Sequence, residues 1–249
     1  SSVYINNTAE ILKNWGLKVE ISEHALNETG SFSGFVEQRL ADFQSAMDDP
    51  NVKLIFCSRG GYGAIHLLER LNFDKIKSSP KWMIGFSDIT TLHSAFQTNG
   101  LMSIHGPMAK HFSDESESDI SVFYAKMALM GKSLNYNIPI ESFSLKREGK
   151  TTGTLFGGNL SVLTSLLGSK YIKVPRSGIL FLEDIGEKPY KVDRMIYQLK
   201  ISGVFNKIKG LIVGQFTDYE EDSNMYASLY ESIFSIVKEY SFPVCFDFP

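Results

Sequence analysis

Three short segments place chemically capable residues where an apolar strand ends. The first is Ile84–Gly85–Phe86–Ser87–Asp88–Ile89–Thr90. A strand runs into Ser87, and Ile89, Leu92, His93 and Phe96 follow at helical spacing. A serine at a tight strand-to-helix turn projects its hydroxyl above the sheet, and the helix N-terminus behind it favours developing negative charge. The pattern is that of a nucleophile elbow, except that position +2 is Ile89 where hydrolases carry glycine. Read by itself, the segment fits an ordinary Ser/Asp helix cap better.

The second segment is Ser58–Arg59–Gly60–Gly61–Tyr62–Gly63, between a strand and a helix. Glycines let backbone N–H groups approach a ligand unobstructed. A phosphate cradle is one reading, but the spacing matches neither G-x-G-x-x-G nor a P-loop with its lysine. An oxyanion hole is the other, formed by an N–H of the Gly60–Gly61 turn together with that of Asp88. One such donor is worth roughly 3–4 kcal/mol. A bare glycine-rich turn stays open as a third.

The third segment is Ile179–Leu180–Phe181–Leu182–Glu183–Asp184, continuing to Glu187 and Tyr190. A carboxylate closing a buried strand is costly unless something pairs with it, which makes Glu183 a functional candidate. Asp184 and Glu187 read as loop or helix-start residues. A paired-carboxylate glycosidase or a metal site lacks a second convincing strand-end acid, so no metal is expected. His105 follows a short apolar strand and belongs near the same rim, where a backbone-bonded structural role is the simpler reading. His93 reads as core, and His24, His66 and His111 as surface or loop. No histidine follows His111.

These segments need a scaffold. Strands are expected at Leu17–Ile21, Lys53–Cys57 and Lys81–Phe86, with helices over Val36–Met47, Ala64–Leu71, Ile89–Gln97 and Asp119–Met130. Strands separated by helices imply crossovers and a parallel sheet, which places ligands at the carboxyl ends of its strands. Gly131–Lys150, with Pro139 and the Lys146–Arg147 pair, reads as a connection. Beyond it come strands at Thr152–Phe156, Gly178–Glu183 and Gly210–Phe216, and helices from Leu160, over Val192–Ile201 and over Met225–Glu239. The fold class is therefore α/β, with an N-terminal parallel-sheet domain over 1–135, a connection over 136–150 and a smaller α/β domain over 151–249. The chain reads as cut at both ends: it enters a helix at once, and it closes in an apolar run, Phe242–Pro249, that looks like a strand feeding a loop.

Composition narrows the function classes. A net charge of −3 gives no reason to expect nucleic acid, which calls for a basic stripe. The acidic run Asp114, Glu115, Glu117 and Asp119 reads as a solvated loop and a negative helix start. Cys57 and Cys245 are the only cysteines, far apart and in apolar runs, so free thiols are expected. No apolar run approaches a membrane span and no signal peptide opens the chain, so a cytoplasmic location is the expectation.

In order along the chain, several segments resemble the LD-carboxypeptidase family of serine peptidases, which includes the microcin-immunity peptidases. They are Phe35–Asp42, Cys57–Gly63, Gly85–Thr90, His105–Met108, Gly157–Leu160, and Leu182–Asp184 through Asp193–Arg194. Each motif is weak alone; the ordered set is specific. The resemblance implies Ser87 as nucleophile, the N–H groups of Asp88 and the Gly60–Gly61 turn as oxyanion hole, and Glu183 as the carboxylate that orients a histidine. The family carries that histidine in a Gly-His motif just beyond a segment like Phe242–Pro249. Arg59 and Asn159 fall in the matching motifs as substrate-site candidates, with His105 beside them. The implied substrate is a muropeptide, the amide cut lies between an L-centre and a terminal D-alanine, no cofactor is required, and a homodimer is suggested. A microcin-immunity-like peptidase with the same triad and a non-catalytic anion-binding α/β protein are the competing readings.

Overall fold

The computed structural model describes residues 2–114, 119–138 and 145–249 of the chain. Glu115 and Glu117 of the acidic run, and Pro139 of the connecting stretch, lie outside them. The fold divides into two compact units, Ser1–Tyr136 and Asn137–Pro249.

The first unit opens with α1 (Ser2–Asn14), stopped by Gly16 at φ 87°. There the Gly16 and Leu17 N–H groups return to the Lys13 and Leu12 carbonyls at 2.8 and 3.1 Å. After α2 (Val36–Asp48) comes a parallel sheet of β1 (Leu54–Phe56), β2 (Trp82–Gly85) and β3 (Ile104–His105), in that spatial order. The intervening helices are α3 (Asp74–Ser78) and α4 (Thr90–Thr98); α5 (Ala109–Asp114) and α6 (Ile120–Leu129) follow β3. Asp119 caps α6 by accepting the Ser121 and Val122 N–H groups at 2.9 and 3.0 Å, so this acid does start a helix. Leu12, Ile84, Phe112, Val122 and Ala125 form one buried cluster that ties α1, α5 and α6 to the sheet.

Two sequence expectations need correction here. Residues 17–22 are not a strand: Leu17 and Val19 pack against the core as their apolar pattern demands, but no ladder partner lies beside them among the described residues. The helix read over Ala64–Leu71 is a single 3-10 turn, Ala64–Leu67, entered through Gly63 in the left-handed region. The short helices α3 and α5 have too little periodicity to be read from sequence.

The second unit is a four-stranded, wholly parallel sheet with neighbours in chain order: β4 (Thr154–Asn159), β5 (Gly178–Ile185), β6 (Ile208–Thr217) and β7 (Val244–Phe248). The connecting helices are α7 (Leu160–Ser165), α8 (Pro189–Ile201) and α9 (Leu229–Val237). Pro189 at the start of α8 gives up an N–H that has no intrahelical partner anyway. Strand β5 alternates buried and half-buried residues, and Leu180 and Leu182 are fully buried among residues from all three helices. Arg147 closes the far end of α9: its guanidinium donates to the Lys238 and Phe242 carbonyls at 2.9 and 3.2 Å, and also to that of Tyr240. Both sheets are parallel and helix-covered, as the spacing of the apolar runs requires.

Candidate active site

In the first unit the strand ends converge as the fold class predicts. Ser87 directly follows Phe86 at the end of β2 and has φ 61°. A non-glycine residue in the left-handed region is strained, and such strain gathers at functional turns. It is the geometry of a nucleophile elbow, opening a 3-10 turn (Ser87–Ile89) that runs into α4. The structure also explains the missing +2 glycine. A Cβ on Gly85 would lie 3.0 Å from Ile89 Cγ1 and Cγ2 and 3.1 Å from Cys57 Cβ, so the turn's small residue is Gly85, with Ile89 packed over it.

The glycine-rich loop closes on the nucleophile from β1. A Cβ on Gly60 would sit 2.9 Å from Ser87 Cβ and 3.1 Å from its Oγ. Only glycine leaves room for the hydroxyl there. Among the described residues, the N–H groups of Gly61 and Asp88 make no hydrogen bond to protein, which leaves two backbone donors at this turn for an external acceptor. Two side chains hold the loop. The Asp88 carboxylate, 7% exposed, accepts the Ala64 N–H at 2.8 Å. Desolvation holds this carboxyl above its usual range, against the Ala64 hydrogen bond that lowers it. Arg39, on α2, donates to the Gly63 carbonyl at 2.9 Å and lies over the Phe32 ring.

A cavity of about 330 Å³ opens in front of Ser87, lined by Gly60, Gly61, Arg59, Lys110, His111 and Met108 among others. Arg59 is exposed and makes no ion pair or hydrogen bond among the described residues; Lys110 is paired to Asp114 at 2.8 Å. His111, expected on the surface, is the residue the sequence reading missed: it lines this cavity with its Nε2 3.2 Å from Asp119 Oδ1. Only its helical position after β3 could have flagged it. His93 is core, as expected. Its ring bridges the Gly85 carbonyl and the Ser103 hydroxyl, each at 2.8 Å, and burial pushes its pKa down to about 4. His105 pairs in register with Gly85, so it does lie near the rim, its ring 6.3 Å from Phe86 and 5.9 Å from His93. It is not among the residues lining the Ser87 cavity.

In the second unit, Glu183 lies near the carboxyl end of β5, in register with Asn159 at the end of β4. The β5–β6 register slips between Leu182 and Asp184, a bulge of the kind that re-aims side chains at functional rims. Burial, and then the neighbouring Asp184 charge, push the Glu183 carboxyl up to about 7, against a hydrogen bond from Asn159. Lys191 pairs with Glu187 at 3.3 Å. Asn159, expected in the substrate site, is 3% exposed and caps α7, its side chain accepting the Val162 N–H at 3.1 Å. Asp184, read as a loop residue, belongs to β5 and is buried. Both cysteines are free thiols.

Known proteins match this chain in sequence and in fold. The LD-carboxypeptidase N-terminal domain family matches residues 2–106, and the LD-carboxypeptidase C-terminal domain family residues 152–249. The murein tetrapeptide carboxypeptidase of Pseudomonas aeruginosa is 33% identical over 213 residues, which cover 82% of this chain and 68% of that protein. The crystal structure of muramoyltetrapeptide carboxypeptidase from Oxalobacter formigenes superposes with a TM-score of 0.87 at 29% identity, covering 99% of this chain and 84% of that one. The microcin C7 self-immunity protein shares the fold, with a TM-score of 0.84 at 23% identity over 98% of this chain and 81% of that one.

Proposed function

We propose that this chain, which belongs to the LD-carboxypeptidase family, is a serine hydrolase that removes the terminal D-alanine of murein tetrapeptide. The observation that carries the reading is the Ser87 turn: a strained, forward-projected hydroxyl with Gly60 against it and two uncommitted backbone N–H groups beside it. The murein peptidase relative supplies the substrate class.

The chemistry follows from those positions. Ser87 Oγ attacks the carbonyl of the L-configured residue while a histidine takes its proton. The tetrahedral oxyanion is held by the N–H groups of Asp88 and Gly61. Collapse of that intermediate breaks the amide, the histidine returns the proton to the departing D-alanine amine, and an ester remains on Ser87. Water then attacks the ester, and the peptide leaves with a new carboxylate. Glu183 orients the histidine, which on the family pattern belongs to its Gly-His motif. Its carboxylate accepts the N–H of one imidazole nitrogen and stabilises the imidazolium that forms when the other takes the Ser87 proton. Arg59, lining the cavity with no partner among the described residues, anchors the substrate's terminal carboxylate and makes the enzyme an exopeptidase.

His111 is the alternative base, because it shares the Ser87 cavity and already contacts Asp119. A nucleobase-directed, microcin-type activity lacks support from the tryptophans. Trp15 packs on Phe112, and Trp82 opens β2 at the end opposite Ser87. The test is hydrolysis of murein tetrapeptide, with product and free D-alanine identified by mass spectrometry. Release from the tetrapeptide but not from its all-L counterpart is expected, with His111→Ala active and Glu183→Gln nearly silent. Equal cleavage of both peptides would overturn the substrate assignment, and a silent His111→Ala the base assignment.

A further inference from the structure

One buried carboxylate has no place in the chemistry above. Asp184 follows Glu183 on β5, is 2% exposed, and no ion pair reaches it among the described residues. Burying a charge is expensive unless donors surround it, and three do. Asn159 Nδ2 and the Ile185 N–H donate to Oδ1 at 2.9 and 2.8 Å, and the Ser161 N–H donates to Oδ2 at 2.9 Å. All three are donors, and they offset part of the desolvation that raises this carboxyl above its usual range.

Asn159 connects that carboxylate to the rim. Its side-chain oxygen accepts the Val162 N–H at 3.1 Å and the Ser161 hydroxyl at 2.8 Å, which commits the oxygen to the start of α7. The amide nitrogen therefore faces the strand, and it carries two hydrogens. One goes to Asp184; Asn159 also hydrogen-bonds Glu183, its register partner across β4 and β5. A flipped amide would aim its oxygen at two carboxylates and its NH2 group at the Val162 N–H. Only one orientation is tolerable, and Asp184 enforces it.

We infer that Asp184 is a positioning residue for the reaction: through the Asn159 amide it fixes the orientation of the Glu183 carboxylate while touching neither substrate nor the reacting atoms. The inference rests on the role proposed for Glu183. Neutralising Asp184 at constant size leaves the Asn159 amide facing another amide, free to rotate and to withdraw its N–H from Glu183. A misplacement of about 1 Å at a catalytic group costs on the order of a hundredfold in rate.

The test measures kcat and KM on murein tetrapeptide for Asp184→Asn, Glu183→Gln and the double variant. Asp184→Asn should lower kcat by about 10- to 100-fold with KM within about threefold, because the loss falls in the transition state. In the Glu183→Gln background the same change should cost less than about twofold, since residues acting as one unit are not additive. A merely structural aspartate would give the same penalty in both backgrounds, and that result overturns the inference. So does a kcat for Asp184→Asn within about threefold of wild type. If Glu183→Gln itself keeps wild-type turnover, the role of Glu183 fails instead, and the two failures are distinct. Should Asp184→Asn not fold, Asn159→Ser carries the same test. Serine still caps α7 but has a single donor, and the same fall in kcat at constant KM is expected; unchanged kcat there overturns the inference.

Discussion

Gly60→Ala places one methyl group against the proposed nucleophile and nothing else of consequence. The added carbon would lie 2.9 Å from Ser87 Cβ, 3.1 Å from Oγ and 3.4 Å from Met108 Cε. Carbon atoms settle about 3.5–4.0 Å apart, so the shortfall on the Ser87 side is roughly 0.6–1.1 Å. The Met108 thioether can yield, but it is already the more distant contact. The displacement therefore falls on Ser87 Oγ or on the loop that carries the Gly61 N–H, and either separates nucleophile from oxyanion donor. At about a hundredfold per ångström, the rate should fall roughly 15- to 150-fold. Gly60 lacks the positive φ that would strain an alanine backbone, so overpacking alone sets the stability cost, about 1 kcal/mol at this half-buried loop. The assay is the second-order rate of labelling by a fluorophosphonate, read beside a thermal melt. Labelling within twofold of wild type in a folded Gly60→Ala protein would refute the proximity argument.

Three further outcomes follow from the same geometry. Because the Glu183 carboxyl is held up at about 7, the folded chain binds more protons than the unfolded one between the two pKa values. Its stabilising contribution is present below the unfolded carboxylate pKa and lost as pH rises through about 7. Denaturant titrations should show wild type losing on the order of 2–3 kcal/mol relative to Glu183→Gln between pH 4 and pH 8, and parallel curves would contradict the shift. Asp88→Ala leaves the Ala64 N–H without its acceptor, and should cost about 1–3 kcal/mol in urea unfolding. Ser87→Gly relieves a residue held at φ 61°, and should raise stability by about 0.4–1 kcal/mol while abolishing labelling; a destabilised variant would mean the turn is not strained.

How much of this was legible in the sequence depended on the kind of signal. Strands β1, β2, β5 and β6 were readable because each is a short apolar run followed by a turn. Residues 17–22 carry the same apolar pattern but pair with no strand among the described residues, and pattern reports burial, not pairing. The Ser87 turn was visible yet ambiguous, since its glycine requirement is met by Gly85 and by Gly60, the latter from a loop more than twenty residues away. Asp184 was misplaced because a charged residue beside a strand end reads as a loop. Only the three donors around it make its burial tolerable, and two of them come from β4 and α7. His111 was missed because its neighbourhood to Ser87 is created by the turn after β3 and by nothing in its own segment.

The central claim is that Ser87 is the nucleophile, and the site of covalent labelling tests it most directly. Wild type and Ser87→Ala are treated with excess fluorophosphonate, digested, and the adduct is mapped by tandem mass spectrometry. The account predicts a single adduct on Ser87, absent from the variant, with hydrolysis of murein tetrapeptide lost alongside it. An adduct on another serine, or turnover by Ser87→Ala within about tenfold of wild type, would contradict it.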